Sequence, residues 1–369
     1  MTIRNADLRK KTLLFMAVIC MIGLMICGKE GKAAAESQSY SEGVDTPCRI
    51  RFAPFDGPHP EMFLSEGDRI AVISPSALPE REQVDATVKG LRSWGYIPVE
   101  GKHVCEKVRS KEDCIEDMLW ALQDPSIKAI FCVRGGYGAA EVMDEISMRA
   151  PLLVESSRKL IIGYSDITVF HSAWAAAGLP SIHCSMSSAF TDMPEGNADV
   201  EKRILRGEIP AYVCKNGPYY KAGKAEGILT GGNLSTFTSV LNTVYDATAR
   251  QIPFILFIED TGEDLQHIHR YLTILKHFGV LKRASGIICG EWVDMPGIEE
   301  GDYSGNSRGG TYRSVADMIS REFTNDLDIP VAFGFPAGHG EINYPLLMGV
   351  KTRLTVQQDQ FSIEWIRRD

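Results

Sequence analysis

The feature that most constrains this chain is an alternation of short apolar runs with stretches of helical period. Asp68–Ser74 (DRIAVIS) closes on Pro75, and Val84, Val88 and Leu91 then fall on one face of a helix over about 80–94, stopped by Gly95. Tyr96–Val99 reads as the next strand, and Lys111–Leu122 (KEDCIEDMLWAL) as an amphipathic helix ended by Asp124-Pro125. Ala129–Val133 (AIFCV) and Lys159–Ile162 (KLII) follow as buried strands, with a helix over about 167–177 behind the second. Strand and helix alternating at this spacing is the pattern of a parallel sheet with right-handed crossovers. The expected fold class is therefore α/β, with a doubly wound, Rossmann- or flavodoxin-like domain over 67–188. Ligands of such sheets sit beyond the carboxyl ends of the strands.

Around this domain the pattern loosens. Residues 36–66 are polar and rich in Pro and Gly and read as a linker, and residues 189–223, of similar composition, read as the crossing into a second domain over 224–369. Within that domain Gly227–Leu229, Pro253–Ile258 (PFILFI), Gly286–Cys289, Ile329–Phe333, Arg353–Val356 and Phe361–Ile366 read as strands. Helices are expected over about 234–244 and 265–278.

Composition removes several function classes. A formal net charge of −9 lacks the electrostatic footprint of nucleic-acid binding, so nucleic acid is not an expected partner. Nine cysteines contain no CxxC pair, which excludes a zinc ribbon or a thioredoxin-type motif. H-E-x-x-H is absent, so a metalloprotease has no ligands to start from, and neither a metal nor a cofactor is expected.

The first 35 residues have the layout of an export segment. Arg4, Arg9, Lys10 and Lys11 precede the apolar run 12–27, and Ala33-Ala34-Ala35 supplies small residues for a cleavage after Ala35. The run's 16 residues fall short of the roughly 20 that a spanning helix needs. Cleaved secretion, lipid attachment at Cys27 and an uncleaved membrane anchor through the N-terminus stay open. All three place the body of the protein outside the cytoplasm, in the periplasm or cell envelope. Cleavage would remove Cys20 and Cys27 and leave seven of the nine cysteines, an odd number. Scattered buried thiols are expected in a chain of this length, rather than a disulfide framework.

Three strand ends carry the candidate chemistry. Ser165 follows KLII and opens a helix, with Gly163 two residues before it. That is the layout of a nucleophile elbow, where a small residue permits the sharp turn and the helix N-terminus favours negative charge nearby. GYSDIT lacks the second glycine of G-x-S-x-G, so Ser165 or Asp166 as a simple helix cap stays open. Glu259, beside Asp260, closes PFILFI, where a carboxylate can orient a histidine or belong to a solvated acidic loop. His339 lies between Gly338 and Gly340, which let the backbone approach other groups closely.

The order Ser…Glu…His is that of α/β-hydrolase triads, an order that recurs convergently and fixes no fold. In that assignment Ser165 attacks, His339 takes and returns the proton, and Glu259 holds the imidazole tautomer. The run Arg134-Gly135-Gly136-Tyr137-Gly138 would offer an unobstructed N–H to an oxyanion, with the N–H of Asp166 as second donor. It matches no Walker motif, and G-x-G-x-x-G is absent after the first strand, which disfavours a dinucleotide site.

The segments VRGGYGAA (133–140), IIGYSDIT (161–168), AEGILTGGNLS (225–235), FIEDTGE (257–263) and GFPAGHG (334–340) occur in this order. The set resembles the L,D-carboxypeptidases, serine peptidases of the muramoyltetrapeptide carboxypeptidase family. DPSIKAIFCVRGGYG and NYPLLMG (343–349) extend the likeness, which runs from about Asp68 to the C-terminus. The resemblance implies an N-terminal parallel α/β domain and a C-terminal β-rich α+β domain, with the triad at their interface and copies paired as a homodimer.

The implied substrate is a peptidoglycan tetrapeptide, cut between the L-centre of its diamino acid and the terminal D-alanine. Carried over by position, the nucleophile falls on Ser165, the carboxylate on Glu259, the base on His339, and the oxyanion donors on Gly136 and Asp166. Arg134, Tyr137 and Asn233 fall at substrate-binding positions by motif alone. The chain departs from the family where an arginine usually precedes paired leucines, reading Ala140-Glu141-Val142-Met143 instead. It departs again in carrying an export signal, since well-known members act in the cytoplasm. Microcin-immunity members share the triad and cut acyl-nucleotide amides, but their glycine segment tends to be rich in Asn and Ser, so RGGYG favours the carboxypeptidase branch. A non-catalytic wall-peptide-binding protein on the same fold is the further alternative.

Overall fold

The computed structural model describes residues 47–295 and 312–366. The export segment, Cys27 and the Ala33–Ala35 cleavage site lie outside the described residues. No helix among the described residues is long and apolar enough to cross a membrane.

After β1 (Cys48–Pro54) the chain builds a parallel sheet from β2 (Arg69–Ile73), β3 (Ile97–Glu100), β4 (Ile127–Cys132), β5 (Leu160–Gly163) and β6 (Ser181–His183). The crossovers are α1 (Arg81–Ser93), α2 (Lys111–Gln123), α3 (Ala139–Arg149) and α4 (Thr168–Ala177). The apolar runs form the central strands because both faces are covered: β4 buries every residue except Lys128. Helix starts follow the local chemistry. At α2 the Asp113 N–H donates to Ser110 Oγ at 3.3 Å, while Asp113 Oδ2 accepts from the Ser110 N–H at 2.7 Å, a reciprocal capping box.

A second sheet takes the rest of the chain. Helix α5 (Glu195–Leu205) leads to β7 (Glu208–Lys215), and β8 (Gly223–Asn233) is followed by α6 (Leu234–Val240). Then come β9 (Phe254–Thr261), α7 (Leu265–His277), β10 (Gly286–Val293), β11 (Val331–Phe333), β12 (Leu346–Met348), β13 (Lys351–Val356) and β14 (Gln360–Trp365). The eight strands run in the order β1-β7-β14-β13-β8-β9-β10-β11, parallel from β8 to β11 and antiparallel elsewhere. β12 crosses back to pair antiparallel with β6, so the first sheet reads β12-β6-β5-β4-β2-β3. Between the sheets α4 contacts both β6 and β8, and nearly its whole surface is buried, with its polar Thr168, His171 and Ser172 each hydrogen-bonded within the protein.

The described part of the stretch read as linker, 47–66, and the stretch read as crossing are structured. The first carries β1, and the second carries α5, with Val200, Ile204 and Leu205 turned inward, as well as β7. Their Pro and Gly content obscured them, and the pairing that secures them is remote. Cys48 stands opposite Cys214 in the β1–β7 ladder, and the two are joined by a disulfide across 166 residues. Cys114, Cys132, Cys184 and Cys289 are buried thiols, and Cys105 is half-buried.

Candidate active site

The carboxyl ends of β4, β5 and β9, together with the loop after β11, converge on one cleft. The chain leaves β5 through Gly163 at φ 152° and turns at Ser165, which holds φ 61° before the helical run into α4. Gly163 has no room for a side chain, because a Cβ there would meet Ile167 and Cys132 at 3.0 and 3.2 Å. Its carbonyl accepts from Nε2 of the buried His171 at 2.9 Å, the other ring nitrogen lying 2.9 Å from Ser181 Oγ. Burial lowers the His171 pKa to about 4, which keeps this brace neutral.

Ser165 Oγ lies 3.1 Å from His339 Nε2, and His339 Nδ1 lies 2.8 Å from Glu259 Oε2. Glu259 is wholly buried at the end of β9. The loop carrying His339 and strand β10 both press against it: a Cβ on Gly338 of the loop would stand 2.7 Å from Glu259 Oε2, and one on Gly290 of β10 would stand 3.0 Å from Glu259 Cβ. The Gly338 N–H donates to Asn343 Oδ1 at 3.0 Å, which fixes the turn. Burial of the ring opposes its positive charge, but the Glu259 hydrogen bond and charge, aided by Asp260 and Asp294, outweigh it. The net His339 pKa is raised. The Tyr164 ring, with its centroid 4.8 Å from that of the imidazole, walls His339 on one side.

The glycine run lies beside the serine. Gly135 faces the serine: a Cβ there would be 3.2 Å from Ser165 Oγ and 3.5 Å from the Asp166 nitrogen. Gly136, at φ 120°, lies against Ala77, and the Ala77 N–H donates to Gly135 O at 3.2 Å. Asp166 contributes more than its amide. Its Oδ2 accepts from the Ala139 N–H at 2.9 Å, tying the elbow to the start of α3 just beyond the glycines. Burial raises the pKa of this carboxyl.

The other motif positions are placed as follows. Arg134 is exposed and its Nη1 donates to Leu78 O at 3.0 Å, while Tyr137 is exposed on the rim. Asn233 is buried, its Nδ2 donating to Asp260 Oδ1 at 2.8 Å and its Oδ1 accepting from the Thr236 N–H at 3.1 Å, so its amide is occupied within the protein. Asp260, pushed up to about 6 by burial, also accepts from the Ser235 and Thr261 N–H groups. Glu141, where the family's usual arginine is missing, lies 3.6 Å from Lys111. Sequence reasoning passed over Tyr164, His171 and the Asp166 carboxylate. Each is within a helical turn or two of Ser165, but the atoms they meet are brought in by other elements.

A serine hydroxyl, an imidazole and a buried carboxylate in line, beside a glycine run, are equipped for acyl transfer. Comparison with known proteins agrees with this class. The family model of the LD-carboxypeptidase N-terminal domain matches residues 70–184, and that of the LD-carboxypeptidase C-terminal domain matches residues 226–354. The murein tetrapeptide carboxypeptidase of Pseudomonas aeruginosa is 30% identical over 296 residues, 74% of this chain and 89% of its own length. Among solved structures, the muramoyltetrapeptide carboxypeptidase from Oxalobacter formigenes aligns with a TM-score of 0.67 at 23% identity, covering 80% of this chain and 97% of that one. MccF in complex with glutamyl sulfamoyl guanosine aligns with a TM-score of 0.67 at 22% identity, covering 82% and 98%. The structural likenesses establish the fold, two sheets of mixed α/β build, and the sequence matches establish the kinship: the chain belongs to the LD-carboxypeptidase family, a family of hydrolases.

Proposed function

We propose that this protein is a serine L,D-carboxypeptidase that removes the terminal D-alanine from peptidoglycan tetrapeptides. The observation that carries the reading is the 3.1 Å approach of His339 Nε2 to Ser165 Oγ, in a chain of this family. Ser165 Oγ attacks the carbonyl carbon at the L-centre of the diamino acid while His339 Nε2 takes the hydroxyl proton. Glu259 holds the ring through Nδ1–H and stabilises the imidazolium that forms.

The oxyanion is received by the N–H groups of Gly136 and Asp166, each such donor typically contributing about 3–4 kcal/mol to the transition state. As the C–N bond breaks, His339 returns the proton to the departing amine of D-alanine. Water then enters, is deprotonated by the same imidazole, and releases the acyl group from Ser165. Arg134 and Tyr137 on the rim meet the substrate. The work is done outside the cytoplasm, on the strength of the N-terminal export layout, by chains paired as homodimers.

Mass spectrometry of a disaccharide-tetrapeptide incubated with the protein, beside a Ser165→Ala control, tests this. D-Alanine should be released by the parent, with the rate cut about 10⁶-fold in the variant. A folded parent that leaves the tetrapeptide intact and instead hydrolyses an aminoacyl sulfamoyl nucleoside would move the protein to the MccF-like branch. Release of D-alanine by Ser165→Ala at the parental rate would remove Ser165 from the mechanism.

A further inference from the structure

Away from the cleft, the loop of residues 101–110 and the first turns of α2 bring one imidazole and three carboxylates together. The His103 side chain is only 7% exposed. On one side, Nε2 lies 3.0 Å from Glu116 Oε2, a carboxylate that also has Lys102 Nζ at 3.6 Å. On the other, Nδ1 faces Glu106 Oε2 at 3.0 Å and Asp113 Oδ1 at 3.6 Å, yet it makes no hydrogen bond to either. The three facing atoms lie within 4.8 Å of one another.

Their positions are held independently of any ion. Asp113 Oδ2 is used by the Ser110 N–H and hydroxyl, both at 2.7 Å, which leaves Oδ1 turned toward the ring. The His103 N–H donates to both Asp117 carboxylate oxygens, at 3.2 and 3.1 Å.

With Nε2–H given to Glu116, Nδ1 carries a lone pair. In the neutral ring that lone pair is aimed at two carboxylates, which is repulsive unless a proton or a metal ion stands between them. Glu106 foremost, then Glu116, raise the His103 pKa, so proton and metal compete for this position. A histidine oriented by a carboxylate on one nitrogen and open on the other is the usual setting of a metal-bound imidazole. We propose that His103 Nδ1, Glu106 and Asp113 form a binding site for a divalent transition-metal ion of the zinc class. One imidazole nitrogen and two carboxylate oxygens suit such an ion, whereas calcium takes six to eight oxygens. Glu106 and Asp113 keep 45% and 25% exposure, which lets water complete the coordination.

The ion takes no part in the serine chemistry proposed above. It clamps the 101–110 loop onto α2. That loop also carries Arg109, whose Nη2 donates to Ser76 O at 2.7 Å, one residue before the Ala77 that meets Gly135 beside Ser165.

Isothermal titration of the metal-free full chain with zinc chloride tests the site, alongside His103→Gln, Glu106→Gln and Cys105→Ser. The parent should bind one equivalent, His103→Gln should lose it, and Glu106→Gln should bind at least tenfold more weakly. Cys105→Ser, altering the thiol in the same loop, should bind like the parent. Zinc should also raise the melting temperature of the parent and not that of Glu106→Gln, an exposed position whose replacement leaves the fold intact. Absence of binding by the parent, or equal binding by the parent and both site variants, would overturn the proposal and make the cluster an imidazolium held by carboxylates. Loss of binding in Cys105→Ser alone would overturn it by moving the ion to the thiol.

Discussion

His339 Nδ1 stands 2.8 Å from Glu259 Oε2, a contact between a carboxylate with no exposed side-chain surface and a ring that is 17% exposed. The partner's charge matters more here than it would in water, because solvent is excluded from one side of the pair. Burial alone would lower the pKa of the ring, and the hydrogen bond and charge of Glu259, with Asp260 and Asp294, reverse that to a net rise.

In the proposed mechanism His339 must be neutral to act as base. kcat/KM should therefore climb with pH through a midpoint above the ordinary histidine value of about 6.5. Glu259→Gln removes the largest influence raising the pKa, so its midpoint should move to lower pH while its plateau rate falls about 10⁴-fold. pH–rate series on the two proteins decide the matter. Coincident acid limbs would detach the limb from this pair.

Ser165 occupies the left-handed region at φ 61°, which costs a residue with a side chain about 1–2 kcal/mol. Glycine at this position removes that strain but loosens the unfolded chain by roughly 0.5–1 kcal/mol. Ser165→Ala keeps the strain. Both variants should be inactive, and Ser165→Gly should be the more stable of the two by about 0.5–1 kcal/mol in urea unfolding. A glycine variant less stable than the alanine variant would mean the elbow stores no strain.

How much of this was legible depended on how local the cause was. KLII, AIFCV and PFILFI announce buried strands by composition, and Ser165 and Glu259 sit at their ends, so the sheet and two of the three side chains in the hydrogen-bonded line could be read directly. His339 was legible only through its flanking glycines, whose reasons are remote: Gly338 lies against Glu259, 80 residues from the histidine, and Gly340 against Glu291. β1 and β7 were hidden because each is completed by the other, and the Cys48–Cys214 bond that marks their register joins segments whose composition suggests loops. The Asp166 carboxylate was missed for a similar reason. Its partner, the Ala139 N–H, comes from a different crossover.

Glu201, on α5, makes a stability prediction with a definite sign. It is buried, accepting at Oε1 from the Ser185 N–H at 3.0 Å and Asn197 Nδ2 at 2.9 Å, and burial pushes its pKa from 4.5 to about 8. The folded protein thus holds a proton that the unfolded chain releases between those two values. Stability linked to Glu201 is complete below about pH 4.5, declines as pH rises, and is lost once pH passes about 8. Glu201→Gln cannot ionise, so its stability relative to the parent should grow across that window. Chemical denaturation at pH 5, 7 and 9 measures the difference, and a constant offset would contradict it.

The two adjacent glycines beside Ser165 should fail in different ways. An alanine Cβ at Gly135 would stand 3.0 Å from Ser165 Cβ and 3.2 Å from Oγ, where the proposed mechanism puts the acyl oxygen, and Gly135 is not among the positive-φ residues. Gly135→Ala should fold with a loss of about 1–3 kcal/mol from overpacking and lose at least about 10²-fold in kcat. Gly136 has φ 120°, and a Cβ there would be 2.5 Å from Ala77 Cβ, so Gly136→Ala combines backbone strain with a clash. It should destabilise by about 2 kcal/mol or more. Adding Ala77→Gly removes the clash and leaves the strain, so the double variant should recover part of that loss, with a coupling of about 0.5–3 kcal/mol in the cycle. Full recovery would assign the whole cost to packing. No recovery would assign it to the backbone, and with it the requirement for glycine at the proposed oxyanion donor.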